Sequence, residues 1–192
     1  MIRELKRGLV FTVVMMALVG GAYPGVLWGI GRVAFPAQAE GSLIRRDGGT
    51  VIGSRLIAQK FTRDEYVQPR PSAVDYNAAS TGGSNYGPSN PDHLKAVRER
   101  LTDVMKREDA SADQVPSEMV TTSGAGLDPH IPPEAADLQA PRVARARGVD
   151  VSRVREVIRA HTEPPALGFL GRARVNVLEL NVSLDGTFGV RR

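Results

Sequence analysis

The chain has 192 residues, 24% of them charged, with 25 Lys and Arg against 21 Asp and Glu and no cysteine. Without cysteine there are no disulfide staples, thiolate zinc sites or Cys nucleophiles, and three histidines (93, 130 and 161) argue against a His-rich metal site. A mean hydropathy of −0.19 resembles that of a soluble protein, and a pI of 9.8 points toward nucleic acid unless the charges lie elsewhere.

The averages conceal a membrane segment. Residues 8–31 carry no charge: sixteen of these 24 are apolar, six are Gly, and the others are Thr12 and Pro24. At about 1.5 Å per residue this run spans roughly 36 Å, against a hydrocarbon core of about 30 Å. We therefore expect a cytoplasmic N-terminus at 1–7, a transmembrane helix over 8–34 and an extracytoplasmic domain over 35–192. Arg3, Lys6 and Arg7 precede the run, and the positive-inside rule sets that orientation. The competing reading is a cleaved signal peptide, since Ala37-Gln38-Ala39 resembles a cleavage site. The apolar run exceeds the usual core of about 7–15 residues, which favours a retained anchor. Ala17, Gly21, Gly25 and Gly29 form a small-residue ladder suited to a partner helix. Pro24, which cannot donate to the Gly20 carbonyl, is expected to kink the helix.

Splitting the chain changes the charge argument. Residues 1–39 hold four basic residues and one acidic (net +3), whereas 40–192 hold 21 basic and 20 acidic (net +1). The outer domain is nearly neutral. Arg142, Arg145, Arg147, Arg153, Arg155 and Arg159 cluster with no aromatic among them, so nucleic-acid bases have no stacking platform. The cluster reads as a solvated helix face, with an acidic protein partner as the alternative.

Within the outer domain, Thr50–Phe61 reads as a strand or strand–turn element. Residues 68–91, dense in Pro, Ser, Asn and Gly, read as a long ordered or functional loop. Asn90 and Pro91 then start a helix with Leu94, Val97, Leu101, Val104 and Met105 on one face. Its end runs into polar, surface residues 107–116. A second Gly-rich loop covers 121–131. A helix starts at Pro132-Pro133, bends at Pro141 and stops at Gly148. Asp150 or Ser152 caps the next, with Val154, Val157 and Ile158 inward. Finally, Leu178, Leu180, Val182 and Leu184 alternate with polar residues across 174–185, which reads as a strand. The fold class is α+β: one N-terminal transmembrane helix, then a domain with few strands and several helices.

Catalytic motifs are wanting. Gly82 and Gly87 have phosphate-loop spacing, but Pro88-Ser89 replaces the Lys-Ser/Thr that would meet phosphate charge. Ser84 and Ser123 lack a Gly-x-Ser-x-Gly setting. Asp128-Pro129-His130 offers two potential cation ligands, too few for a site. In each case turn residues holding special backbone are the simpler reading, and we assign no catalytic or metal residues.

The runs Gly53-Ser54-Arg55-Leu56-Ile57-Ala58-Gln59-Lys60-Phe61, Arg70-Pro71-Ser72 and Gly83-Ser84-Asn85-Tyr86-Gly87-Pro88-Ser89-Asn90 resemble the C-subunit family of the Kdp potassium-transporting ATPase. So do Ser123-Gly124-Ala125-Gly126-Leu127-Asp128-Pro129-His130-Ile131, residues 142–148, and Arg174-Val175-Asn176-Val177-Leu178-Glu179-Leu180-Asn181. The resemblance extends over nearly the whole chain, Tyr23-Pro24 included. Ala58, Ala125, Val67 and Pro132 depart from the family's usual Gly, Ser, aromatic and Ser. The family likeness implies an accessory subunit in the inner (plasma) membrane, beside a channel-like A subunit that selects potassium, an ATP-hydrolysing B subunit and a small F subunit. It implies a role in assembly and as a catalytic chaperone raising the B subunit's affinity for ATP, so that ATP is the implied nucleotide and potassium the cargo. An outer cap tuning potassium entry at the A subunit is an alternative. A tethered periplasmic enzyme or ligand-binding protein is the alternative of a different class. The family motifs single out Gln59, Arg70, Ser84, Asn85, Gly87, Asn90, Ser123, Gly124, Gly126, Asp128 and His130 for assembly or ligand contact.

Overall fold

A computed structural model describes residues 1–46 and 48–190. The chain divides into two compact units, Met1–Leu43 and Ile44–Arg192.

The first unit is dominated by one helix, Ile2–Ala34, 33 residues long with a mean hydropathy of 1.9 in its most apolar window. By length and composition it can cross a membrane. It comprises α1 (Ile2–Ala17), a π-helical turn (Leu18–Ala22) and α2 (Tyr23–Ala34). The π turn is how the helix accommodates Pro24. The Tyr23 amide reaches back five residues to the Leu18 carbonyl, a widening of the helix just where the proline ring would crowd the preceding turn. Near the far end, the Arg32 guanidinium lies 5.9 Å from the centre of the Trp28 ring and pairs with Glu40 at 3.1 Å. A single turn, α3 (Pro36–Ala39), follows.

The second unit opens with a two-stranded sheet, β1 (Leu43–Arg45) and β2 (Val51–Ser54). Residues 55–90 contain turns but no helix or strand, as the Pro- and Gly-rich composition leads one to expect. Helix α4 (Pro91–Glu108) begins where sequence reasoning places it. The Asn90 side chain accepts from the amides of Asp92 (2.8 Å) and His93 (3.3 Å), with Pro91 in the first turn. Leu94 is exposed, while Val97, Leu101 and Val104 turn toward the core. The expected solvated end of this helix needs correcting: the Glu108 side chain is fully buried. Two short 3₁₀ turns (Ala112–Gln114 and Ser117–Met119) lead to β3 (His130–Ile131).

Helix α5 (Pro133–Arg147) contains Pro141 and ends at Gly148, whose φ of 65° is the left-handed stop a glycine supplies without strain. Helix α6 (Val151–Ala160) is capped by Asp150, which accepts from the Ser152 amide at 2.7 Å. Strand β4 (Thr162–Glu163) follows. The last elements correct the sequence expectation of a strand across 174–185. β5 (Arg174–Asn176) is three residues long, and α7 (Val177–Phe188) replaces the rest. Asn176 is the switch, for its side chain accepts from the Glu179 amide at 3.2 Å and caps a helix. The buried residues Val177, Leu180, Asn181 and Leu184 then recur with helical spacing.

β5 lies between β3 and β4, antiparallel to both, with His130 opposite Asn176 and Val175 opposite Ile131 and Thr162. The core joins this small sheet to α4, α5, α6 and α7 through Val104, Ile131, Val143, Val154, Ile158, Val175, Leu180 and Leu184. Ala135, Ala136, Ala140 and Ala144 give α5 a buried face of small side chains, which permits close approach by its neighbours.

Buried polar side chains serve in place of a missing strand. Residues 64–68 lie in no helix or strand, yet all five of their carbonyls and the amides of 66–68 are paired. Asn181 accepts from the Val67 amide (2.9 Å) and donates to the Val67 carbonyl (2.8 Å). Gln139 brackets Gln68 in the same way, at 2.8 and 3.1 Å. Arg142 donates to the carbonyls of Asp64 and Tyr66, to Gln139, and to the buried Glu108 carboxylate at 3.0–3.1 Å. Arg147 donates to Glu65 and Leu184 carbonyls and to Asp185. The solvated-face reading of the arginine cluster thus fails for Arg142 and Arg147, which are buried. It describes Arg145, Arg153, Arg155 and Arg159, which are exposed.

Candidate functional site

The two Gly-rich loops, some fifty residues apart in sequence, interlock. The Ser123 amide donates to Pro71 (3.2 Å), Gly82 to Ala125 (3.1 Å), and Ala58 to Leu127 (2.9 Å). Gly126 is where the loops come closest. Its φ is +71°, and a Cβ there would meet Val74 at 2.6 Å and the Gly82 carbonyl at 3.1 Å. Gly83 is equally confined, since a Cβ would sit 2.8 Å from the Gly124 carbonyl. Both glycines are required by close backbone approach.

The first loop is held in an uncommon backbone conformation. Asp75 and Tyr76 both have positive φ (50° and 59°). The Ser72 hydroxyl accepts from the amides of Val74 (3.2 Å) and Tyr76 (2.9 Å), and the Tyr76 hydroxyl donates to the Arg70 carbonyl at 2.7 Å. Burial, aided by the Asp75 charge, pushes the Tyr76 phenol up to about 12, so it remains a neutral donor at physiological pH.

Arg70 links this loop to the second. Its guanidinium reaches the Thr121 hydroxyl and Thr122 carbonyl, each at 3.4 Å, and Asp128 at 3.5 Å. Asp128 also accepts from the His130 amide at 3.0 Å, and the His130 ring lies 3.6 Å from the same carboxylate. Burial pushes the Asp128 carboxyl up, but the His130 hydrogen bonds and the Arg70 charge outweigh it and hold it below the usual range. The loop is then fastened to the sheet, as the Val177 amide donates to Pro129 (2.9 Å). Asn176 donates to the Arg55 carbonyl (2.8 Å), while the Arg55 guanidinium pairs with Glu179 at 2.7 Å.

Of the residues singled out by sequence, Arg70, Ser84, Ser123, Gly124, Gly126, Asp128 and His130 lie in this interlocked region, with the Ser84 hydroxyl 3.5 Å from that of Thr122. Asn85 is exposed with φ +53°. Gln59 instead props β2, donating to Ile52 at 2.8 Å. Asn90 is spent on capping α4, and Gly87 forms the turn before it. Ser72, Tyr76 and Thr121 do central work that sequence reading missed. The Ser-x-x-x-Tyr spacing is a local signal for a side-chain-stabilised turn. In the helix, Ala17, Gly21 and Gly25 are exposed and Gly29 is half-buried, and a Cβ on any of the three glycines would meet nothing within 4 Å. The interlocked region orders backbone and displays polar groups on a fixed frame.

Comparison with known proteins covers both the apolar helix and the domain. A family model described as "KdpC: K+-transporting ATPase, c chain" matches residues 5–186. The chain belongs to the KdpC family. Relatives named "Potassium-transporting ATPase KdpC subunit" include one from Geobacter sulfurreducens, 48% identical over 186 residues (95% of this chain, 97% of the relative). Another, from Rhodospirillum rubrum, is 47% identical over 190 residues (98% of each). A third, from Polaromonas naphthalenivorans, is 49% identical over 184 residues (94% and 93%). The family match takes in the apolar helix, the interlocked loops and the β5–α7 switch alike.

Proposed function

We propose that this chain is a non-catalytic accessory subunit of an ATP-driven, high-affinity potassium uptake complex. The observation that carries the reading is a family match running from the apolar helix through the end of the folded domain. In this reading α1 and α2 cross the inner membrane with the N-terminus in the cytoplasm, and the domain lies on the extracytoplasmic side. The partners are a potassium-selecting A subunit, an ATP-hydrolysing B subunit and a small F subunit. The chain is needed for their assembly and raises the B subunit's affinity for ATP. The small-residue ladder supplies the face on which a partner helix packs.

An outer domain lies on the wrong side of the membrane for direct contact with cytoplasmic ATP. An effect on nucleotide affinity therefore travels through the helix, while the domain serves the outer face of the complex. A second reading follows, in which the interlocked loops cap the potassium entrance of the A subunit. The exposed Asn85 and the fixed loop carbonyls favour it. The test is co-purification of the intact chain with its partners, followed by kinetics after deleting 44–192 and retaining the helix. The accessory-subunit reading expects a stable complex and, with the helix retained, an unchanged KM for ATP. A chain that purifies without partners overturns it, and an unchanged potassium affinity after deletion removes the cap.

A further inference from the structure

The two most exposed large apolar side chains described in the domain, Leu167 and Phe169, belong to the turn between β4 and β5. Leu167 is 82% exposed, Phe169 74% and Leu170 52%. Residues 164–171, Pro-Pro-Ala-Leu-Gly-Phe-Leu-Gly, contain no polar side chain. This is a built hairpin tip. Ala166 and Leu170 exchange both backbone hydrogen bonds at 2.9 Å, Gly168 donates to Pro165 at 3.0 Å, and Phe169 donates to Ala166 at 3.3 Å. Leu167 and Gly168 take positive φ, 55° and 81°, to make the turn. A fixed tip cannot fold its apolar side chains back toward the core, so water meets them unless something else does.

We propose that this tip inserts into the interfacial region of the lipid bilayer in which the chain's own helix is anchored. Three observations favour lipid over a protein groove. The tip lacks the polar groups that give a protein–protein contact its rim of hydrogen bonds. Four of its backbone amides are already paired internally and its two prolines have none to pair, which lowers the cost of leaving bulk water for the bilayer interface. Only residues 35–42 separate α2 from β1, a reach of at most about 30 Å. The bilayer is therefore always near at high effective concentration. Just past the tip, Arg172 is 90% exposed in a long ion pair with Glu118 at 3.8 Å, which leaves most of its guanidinium open to headgroup phosphates.

The proposal rests on α1 and α2 spanning the membrane, and one sample tests both. The chain has no cysteine and one tryptophan, Trp28 in the helix. Full-length Phe169→Cys is labelled with the fluorophore NBD and reconstituted into phosphatidylcholine–phosphatidylglycerol vesicles doped with lipid spin-labelled near the headgroup. Leu167→Cys provides a second tip site and Ser89→Cys an exposed reference. We expect NBD emission at 169 and 167 to fall about twofold or more with spin-labelled lipid, and that at 89 to hold. Trp28 quenched with unquenched tip labels overturns the proposal while leaving the anchor intact. A tip label whose emission shifts without lipid quenching assigns the tip to protein and also overturns it. Unquenched Trp28 removes the anchor and the proposal with it.

Discussion

The helix and the domain satisfy their side chains in opposite ways. Residues 2–34 bury none of their apolar groups within the chain. The domain closes an apolar core and supplies even its irregular backbone with partners, as Asn181 does for Val67 and Gln139 for Gln68. The helix is therefore complete only with lipid or other helices around it, whereas the domain carries its own stabilisation. The domain's stability is accordingly predicted to respond to substitutions within its core and loops and to ignore those on the helix.

The largest response is expected from Arg142→Ala. It removes one of the two guanidinium groups on the fully buried Glu108 carboxylate, leaving only Arg107 at 2.7 Å, and frees two backbone carbonyls in 64–68. Breaking a buried pair costs about 3–5 kcal/mol, the retained Arg107 contact places this loss at the lower end, and urea unfolding of the full chain in micelles measures it. A double substitution, Arg142→Met with Glu108→Leu, should recover part of the loss, because it also removes the buried carboxylate that Arg107 alone compensates. Next is Gly126→Val. Left-handed backbone and a clash with Val74 and Gly82 together cost about 3 kcal/mol. Gly124→Ala, where a Cβ meets nothing within 4 Å, should be close to neutral. Equal effects at 124 and 126 would contradict the interlock.

What the sequence disclosed and concealed follows from the range of the interactions. Asn90-Pro91, Gly148 and Asp150 act within one helical turn, so the helix ends they set could be read directly. At 174–185 two periods coincide. Leu178, Leu180 and Leu184 fit a strand's alternation and are also buried on α7, and the capping by Asn176 decides between them. Arg142 and Arg147 looked like surface charge because their partners in 64–66 lie about eighty residues away in the chain. The loop residues were recognisable as special but not as paired, since only the folded chain brings Gly126 to Gly82. The apolar helix, being local in composition, was legible almost completely. Its π turn was not, since Pro24 announced only that regular helix would be disturbed.

Smaller effects sharpen the contrast. Asn90→Ala removes two acceptor contacts at the start of α4 and should cost about 1 kcal/mol. Asp128 gives a pH signature. Its folded pKa is depressed, so its contribution to stability is present above the unfolded value of about 3.9 and is lost as pH falls through the lower folded value. Asp128→Asn should flatten the acid limb of a stability–pH profile. An unaltered limb would show that Arg70 and His130 do not hold the carboxylate in solution.

The smallest expected effect is the most diagnostic of the division. Gly25→Leu fills open space on the helix, where no atom lies within 4 Å of the new Cβ. Nothing within the chain is displaced, so the domain's urea midpoint should not move. If the ladder is a packing face, however, a leucine pushes the partner's backbone away and the yield of co-purified complex falls, because close approach of small residues is what drives association in lipid. Gly8→Leu lies on the same helix outside the ladder, has equal room, and should leave both readings unchanged. A shift in the domain's midpoint with Gly25→Leu would mean that the two units share stability after all. An unchanged complex would mean that the ladder is only the ordinary glycine content of a membrane helix.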